Sequence, residues 1–347
     1  FVMPSGHMSR WTCGAILLLL AMIAAPAAAS QPTSAQDCHV PGQASTGLWE
    51  LEADHDAGQF RSALRSREDP TRTFAASFRL DGARLVVAVS NGTGLNASRA
   101  TTTVETRGLH EFRDRDGDGR FGPGDESRRR YDLGAVAGAT LQVLGRVDGG
   151  YDAVAIYPVN ASARSDLPVG KAPPLPGQLR LSFVVLEAAA LVEGQWIPPT
   201  RVVLNAAVLN FPFVENDTRL AIEIRIEGMP ASVRIADGFA ARHGHATSDY
   251  QWAPCAALEG SPFPNQLLVV DDGGPGEGAG ATALFGYPAS DEVRQEFAAS
   301  GAWSAPASLT PPLPLAPILG DLALFLSAAL GSVLLVAATS WRRFRGP

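Results

Sequence analysis

Residues 220–227, LAIEIRIE, alternate apolar and charged without a break. Leu220, Ile222, Ile224 and Ile226 fall on one side, and Glu223, Arg225 and Glu227 on the other. A period of two belongs to a β-strand, and this pattern puts one face in a core and the other in solvent. Such a strand needs neighbours to pair its backbone and a second layer to cover its apolar face. Short runs rich in Val, Leu and Ile recur at 84–90, 141–147, 179–186 and 202–209, and the 35 glycines and 26 prolines supply turns. Helical periodicity is scarce, and only 291–299 reads as one short helix. The expected fold class is all-β, a β-sandwich-like domain over 38–304.

The two ends of the chain add a topology. From Met8 the sequence runs from a basic start through an apolar stretch, Gly14 to Ala25, to the small residues before Ser30. This is the order of a signal peptide, expected over 8–29. At the other end, 322–341 is a run of 20 residues without a charge. At helical rise it spans about 30 Å, the thickness of a bilayer's hydrocarbon core. Arg342, Arg343 and Arg345 follow it, so the 342–347 tail is expected in the cytoplasm and the domain outside, as an ectodomain. Residues 305–317 hold five prolines and no charge, and read as an extended stalk between domain and membrane.

The ectodomain of about 270 residues is large enough for a sizeable core. The stretch 168–177, PVGKAPPLPG, marks either a boundary between two halves or a long loop at a sandwich edge, and one composite domain is preferred. The Gly-rich 271–280 stretch reads as a surface loop. Cys38 and Cys255 remain after signal removal, and an exported chain favours a disulfide between them. Formal charge is −7 and Lys171 is the sole lysine, so the basic footprint of a nucleic-acid binder is missing. Asn91, Asn96, Asn160 and Asn216 each head an N-x-[ST] acceptor, which suggests glycosylated turns. Sequons together with arginine in place of lysine lean toward an archaeal host.

One motif carries chemistry. Residues 114–125, DRDGDGRFGPGD, place Asp114, Asp116, Asp118 and Asp125 at loop positions 1, 3, 5 and 12, with Gly119 at position 6. Ca²⁺ takes six to eight oxygens, and alternating carboxylates on a tightly turning backbone point inward together. The loop resembles the calcium loops of EF-hand proteins, and more closely those of dockerin-like and bacterial surface-adhesin modules. The resemblance covers about a dozen residues. It implies Asp114, Asp116, Asp118, the Arg120 carbonyl and Asp125 as ligands of a structural Ca²⁺. Two departures stand out: position 12 is Asp instead of Glu, and the flanking GLHEF and RRRYDL read as strands instead of helices.

His243, His245 and Asp249 form a zinc-like set on paper, as do Asp54, His55 and Asp56, but ordinary surface histidines are the preferred reading of both. G-x-S-x-G, H-E-x-x-H, Walker A and dinucleotide motifs are missing. The favoured function is a calcium-stabilised, membrane-anchored surface binding or adhesion protein without catalysis, facing an extracellular protein or glycan. An anchored hydrolase and a structural component of a surface coat are the competing readings.

Overall fold

The computed structural model describes residues 38–41, 47–93, 97–135, 137–159, 177–230, 232–271 and 280–304. The signal peptide over 8–29, stalk over 305–317, transmembrane helix over 322–341 and tail over 342–347 lie outside these residues. So do most of 168–177 and of 271–280. Among the described residues no helix is long and apolar enough to cross a membrane.

The described residues form an all-β unit. Its strands begin with β1 (Trp49–His55), β2 (Gln59–Ser66), β3 (Thr73–Arg79), β4 (Arg84–Asn91), β5 (Ser98–Arg113), β6 (Glu126–Asp132) and β7 (Thr140–Gly145). They continue with β8 (Gly150–Val159), β9 (Gly177–Leu186), β10 (Ala190–Val192), β11 (Gln195–Ile197), β12 (Arg201–Leu209), β13 (Arg219–Met229) and β14 (Ser232–Ile235). The last are β15 (Gly238–His243), β16 (Ala246–Trp252), β17 (Cys255–Leu258), β18 (Ser261–Pro264), β19 (Gln266–Asp271), β20 (Gly280–Tyr287) and β21 (Glu292–Trp303). The runs expected to be strands are β4, β7, β9, β12 and β13. The stretch expected to be a short helix, 291–299, is instead the start of β21. Val293, Phe297 and Ala299 of that stretch alternate into the core, and sheet packing overrides the helix propensity of its Glu, Gln and Ala residues.

Two antiparallel sheets result. The first is ordered β1-β2-β3-β4-β5-β13-β20-β19, with β6 also pairing to β5. The second is ordered β14-β15-β16-β21-β12-β9-β8-β7, with β17 on β21 and β18 on β17, while β10 and β11 form a separate hairpin. The chain changes sheet between β6 and β7, β12 and β13, β13 and β14, β18 and β19, and β20 and β21. Neither sheet is therefore a continuous piece of sequence. The strands on either side of residues 160–176, β8 and β9, are paired neighbours in one sheet.

Aromatic side chains join the two inner faces. Phe60 of β2 and Phe78 of β3 meet Phe183 of β9 at ring separations of 5.5 and 5.1 Å. Phe285 of β20 meets Trp252 of β16 and Phe297 of β21 edge-on. Gln295, the one buried glutamine among the described residues, accepts the Tyr287 hydroxyl from the opposite sheet at 3.0 Å, so a polar pair is satisfied inside the core. On the outside of the second sheet, Cys38 is disulfide-bonded to Cys255, with Cα atoms 4.9 Å apart. The bridge fixes the strap of residues 38–41 against β17.

Candidate metal centre

The 114–125 loop joins β5 to β6 and is built from its own carboxylates. Asp114 accepts the Gly117 and Gly119 N–H groups at 2.7 and 2.9 Å. Asp116 accepts the Asp118 N–H at 3.1 Å and Asp118 the Arg120 N–H at 2.7 Å. Asp125 closes the loop by accepting the Arg115 and Gly122 N–H groups at 3.0 and 2.7 Å. Gly117 and Gly119 take φ of 77° and 79°, the left-handed region that suits glycine. At Gly119 a side chain would also strike Gln266 of β19, and a Cβ on Gly286 of β20 would sit 2.4 Å from the Gly119 carbonyl oxygen. The loop therefore lies directly on the first sheet.

Asp114, Asp116 and Asp118 each bring one carboxylate oxygen within 4.8 Å of the others. Oxygens bound to one Ca²⁺ at 2.3–2.6 Å can be no more than about 4.6–5.2 Å apart, so the three fit a shared ion. Each carboxylate oxygen has a second lone pair beyond the one its N–H donor uses. Asp125 is outside this group of three, and Arg120 enters the loop's hydrogen bonding through its N–H. The Arg219 guanidinium lies 3.7 Å from Asp114 and already offsets part of the loop's negative charge. It also bonds to Gln266, which ties the loop's first carboxylate to β13 and β19.

Phe121, in the middle of the loop, packs at a tilt against His110 and Phe112 of β5, with ring centroids 5.0 and 4.9 Å apart. Under this cover the His110 Nε2–H donates to Glu223 at 2.7 Å, and Arg130 of β6 approaches the same carboxylate at 3.2 Å. The expectation that Glu223 faces solvent is overturned, because it is 8% exposed. Its strand is central, and the residues that cover it come from β5, β6 and the acidic loop. The His110 hydrogen bond, followed by the Arg130 charge, holds the Glu223 carboxyl below its ordinary value against the opposing effect of burial.

The other expected sites are dispersed. His243 and His245 flank the β15–β16 turn, and His243 Nδ1 accepts the Arg99 N–H at 3.0 Å. Asp249 lies on the outer face of β16 and accepts the Ser300 hydroxyl at 2.8 Å, and burial raises its carboxyl above the ordinary value. Asp54, His55 and Asp56 lie at the exposed end of β1, where Asp56 accepts the Gly58 N–H. Among the described residues, Asp114, Asp116 and Asp118 form the one converging group of three metal-ligating side chains. Asn91 ends β4 and Asn216 sits exposed in the turn before β13, while Asn96 and Asn160 lie outside the described residues.

Sequence reasoning missed the attachment of the strap to the second sheet. Glu296 of β21 accepts the Val40 N–H at 2.8 Å and also bonds His39. Arg201 of β12, 2% exposed, donates to the Pro41 carbonyl at 2.9 Å and to that of Val40. A charged residue at the head of a mostly apolar strand, Arg201 before Val202 and Val203, was the available signal. Comparison with protein-family models and with curated proteins gives no match.

Proposed function

We propose that the chain is an exported, calcium-stabilised surface binding protein, held to the membrane by a single helix over 322–341 and acting without catalysis. The observation that carries the reading is the convergence of Asp114, Asp116 and Asp118 oxygens within 4.8 Å, on a loop pressed against the sheet. Three carboxylates this close repel one another, and a cation among them relieves that repulsion. Extracellular calcium is about millimolar, where sites of 10⁻⁴ to 10⁻³ M affinity are useful and a cytosolic chain would find too little ion. Asp114, Asp116 and Asp118 would hold the ion, which supplies local rigidity.

The test joins stability to topology. For a site of about 10⁻⁴ M, millimolar calcium adds about 1.4 kcal/mol, which for a domain of this size raises the Tm by about 3–6 °C. Asp118→Ala should remove that rise and leave the Tm in chelator nearly unchanged. External protease on intact cells should digest the domain and leave the membrane segment. Identical melting in calcium and chelator would sink the calcium reading, and a protected domain would sink the surface reading.

A further inference from the structure

The outer face of a sheet usually carries long, solvated side chains. At the centre of the second sheet it carries the short side chains of Ser182, Asn205 and Ala207 among longer charged ones. Asn205 stands opposite Ser182 on one side and Glu296 on the other, and one step along, Ala207 stands opposite Arg180 and Arg294. Taller structures rise around this floor. The β10–β11 hairpin packs Ile197 and Val192 onto Val203 and Val184, with Glu193 at its turn. The β17–β18 hairpin brings Ala257, Glu259 and Gly260 to the opposite side, and the strap closes one end with Cys38 and His39. A cavity of about 640 Å³ lies between these walls. A second cavity of about 510 Å³ shares its floor at Arg180, Ser182 and Asn205. Both volumes fall within the usual range for small-molecule sites, about 300–1,000 Å³.

Most charges around the groove are already matched. Arg294 pairs with Glu292, His39 with Glu296, and Arg146 with Asp148 and Asp152, while Glu259 accepts the Ser290 hydroxyl. Beyond the backbone ladders of their strands, the side chains of Arg180, Ser182, Asn205 and Glu193 make no hydrogen bond or ion pair with any other described residue. This free set holds one positive and one negative charge, with a hydroxyl and a carboxamide between them. It offers donors and acceptors together and no net charge. A polyanion would meet Glu193, Glu259 and Glu292, and a lipid tail would find a floor of Ser182, Asn205 and Arg180. An extended peptide recognised through its backbone needs an open strand edge, and β9 and β12 are paired on both sides.

We propose that this groove binds a neutral oligosaccharide, resting on the reading of the chain as a surface binding protein. Sugar hydroxyls both donate and accept. The Arg180 guanidinium presents several N–H donors in a planar fork that suits adjacent hydroxyl oxygens, and Glu193 accepts from hydroxyl groups. Ser182 and Asn205 complete the floor from paired central strands, so little ordering is required on binding. The metal loop is on the other sheet, and the two sites do not share a residue.

The test uses the full-length chain in a sugar-free detergent with calcium present, titrated calorimetrically with cellotetraose, maltotetraose, chitotetraose and mannotetraose, and with tetragalacturonate as the anionic control. At least one neutral tetrasaccharide should bind with a Kd in or below the millimolar range. Arg180→Ala and Asn205→Ala should each weaken it at least about tenfold, and Ser182→Trp should abolish it by filling the groove, all without lowering the Tm. Silence across the neutral panel, binding unchanged by the variants, or tighter binding of tetragalacturonate overturns the proposal. If sugars fail to bind while the calcium-dependent rise in Tm persists, only the oligosaccharide assignment falls. Loss of that rise strikes the calcium reading independently.

Discussion

Glu223 shows how much one residue depends on distant sequence. His110 and Arg130 contact its carboxylate, and Phe121 roofs the imidazole that holds it. Glu223→Gln keeps the shape and removes the charge, and should cost about 1–3 kcal/mol at neutral pH. Since folding lowers the Glu223 pKa, its stabilisation is present above the unfolded carboxylate value and is lost as pH falls through the folded value. Urea unfolding of both proteins, stepped from neutral to about pH 3, should show the gap closing with acidification. A gap independent of pH would mean that packing, and not charge, accounts for the loss. The alternation of residues 220–227 correctly gave the inward Leu220 and Ile222, 0% exposed. It wrongly put Glu223 in solvent, because a strand's period says nothing about what lies over its outer face.

At the scale of elements, the acidic loop acts as a connection and a cover together. Its spacing was legible because calcium-loop chemistry is local: carboxylates and glycines within a dozen residues. Its contact with β19 and β20 was not, since Gln266 and Gly286 are remote in sequence. If the loop shelters the His110–Glu223 pair, Phe121→Ala lets water reach it and weakens what the pair contributes. The loss in the Phe121→Ala, Glu223→Gln double variant should fall short of the sum of the single losses by at least about 0.5 kcal/mol. Strict additivity would separate the loop from the pair. The groove on the second sheet had no local signature at all. Arg180 and Ser182 come from β9, Asn205 from β12 and Glu193 from a hairpin turn, and only sheet order brings them together. The small outward residues Ser182, Asn205 and Ala207 were the trace it left in the sequence.

At the scale of the whole described unit, strands from separated parts of the chain are interleaved between two sheets around a shared core. Unfolding of the oxidised protein should therefore be one transition, with tryptophan fluorescence and far-ultraviolet circular dichroism giving the same denaturant midpoint. Resolved midpoints would show that the sheets come apart independently. Reducing the Cys38–Cys255 bridge, which spans 217 positions, should lower stability by up to about 5 kcal/mol from loop-closure entropy. No loss on reduction would show that the strap is held by Arg201 and Glu296 alone.

The placing of β21 bears on how the unit takes load. It is the last described strand, and it lies between β12 and β16. It is paired with β12 from Glu292 to Ser300 and with β16 from Phe297 to Trp303. Tension entering beyond Ser304 would run along this strand. Antiparallel hydrogen bonds lie across the strand direction, so pulling lengthwise strains two ladders at once in shear. A chain tethered through an edge strand such as β14 would instead be peeled one bond at a time. Central placement of β21 therefore gives the end of the described unit resistance to lengthwise pulling.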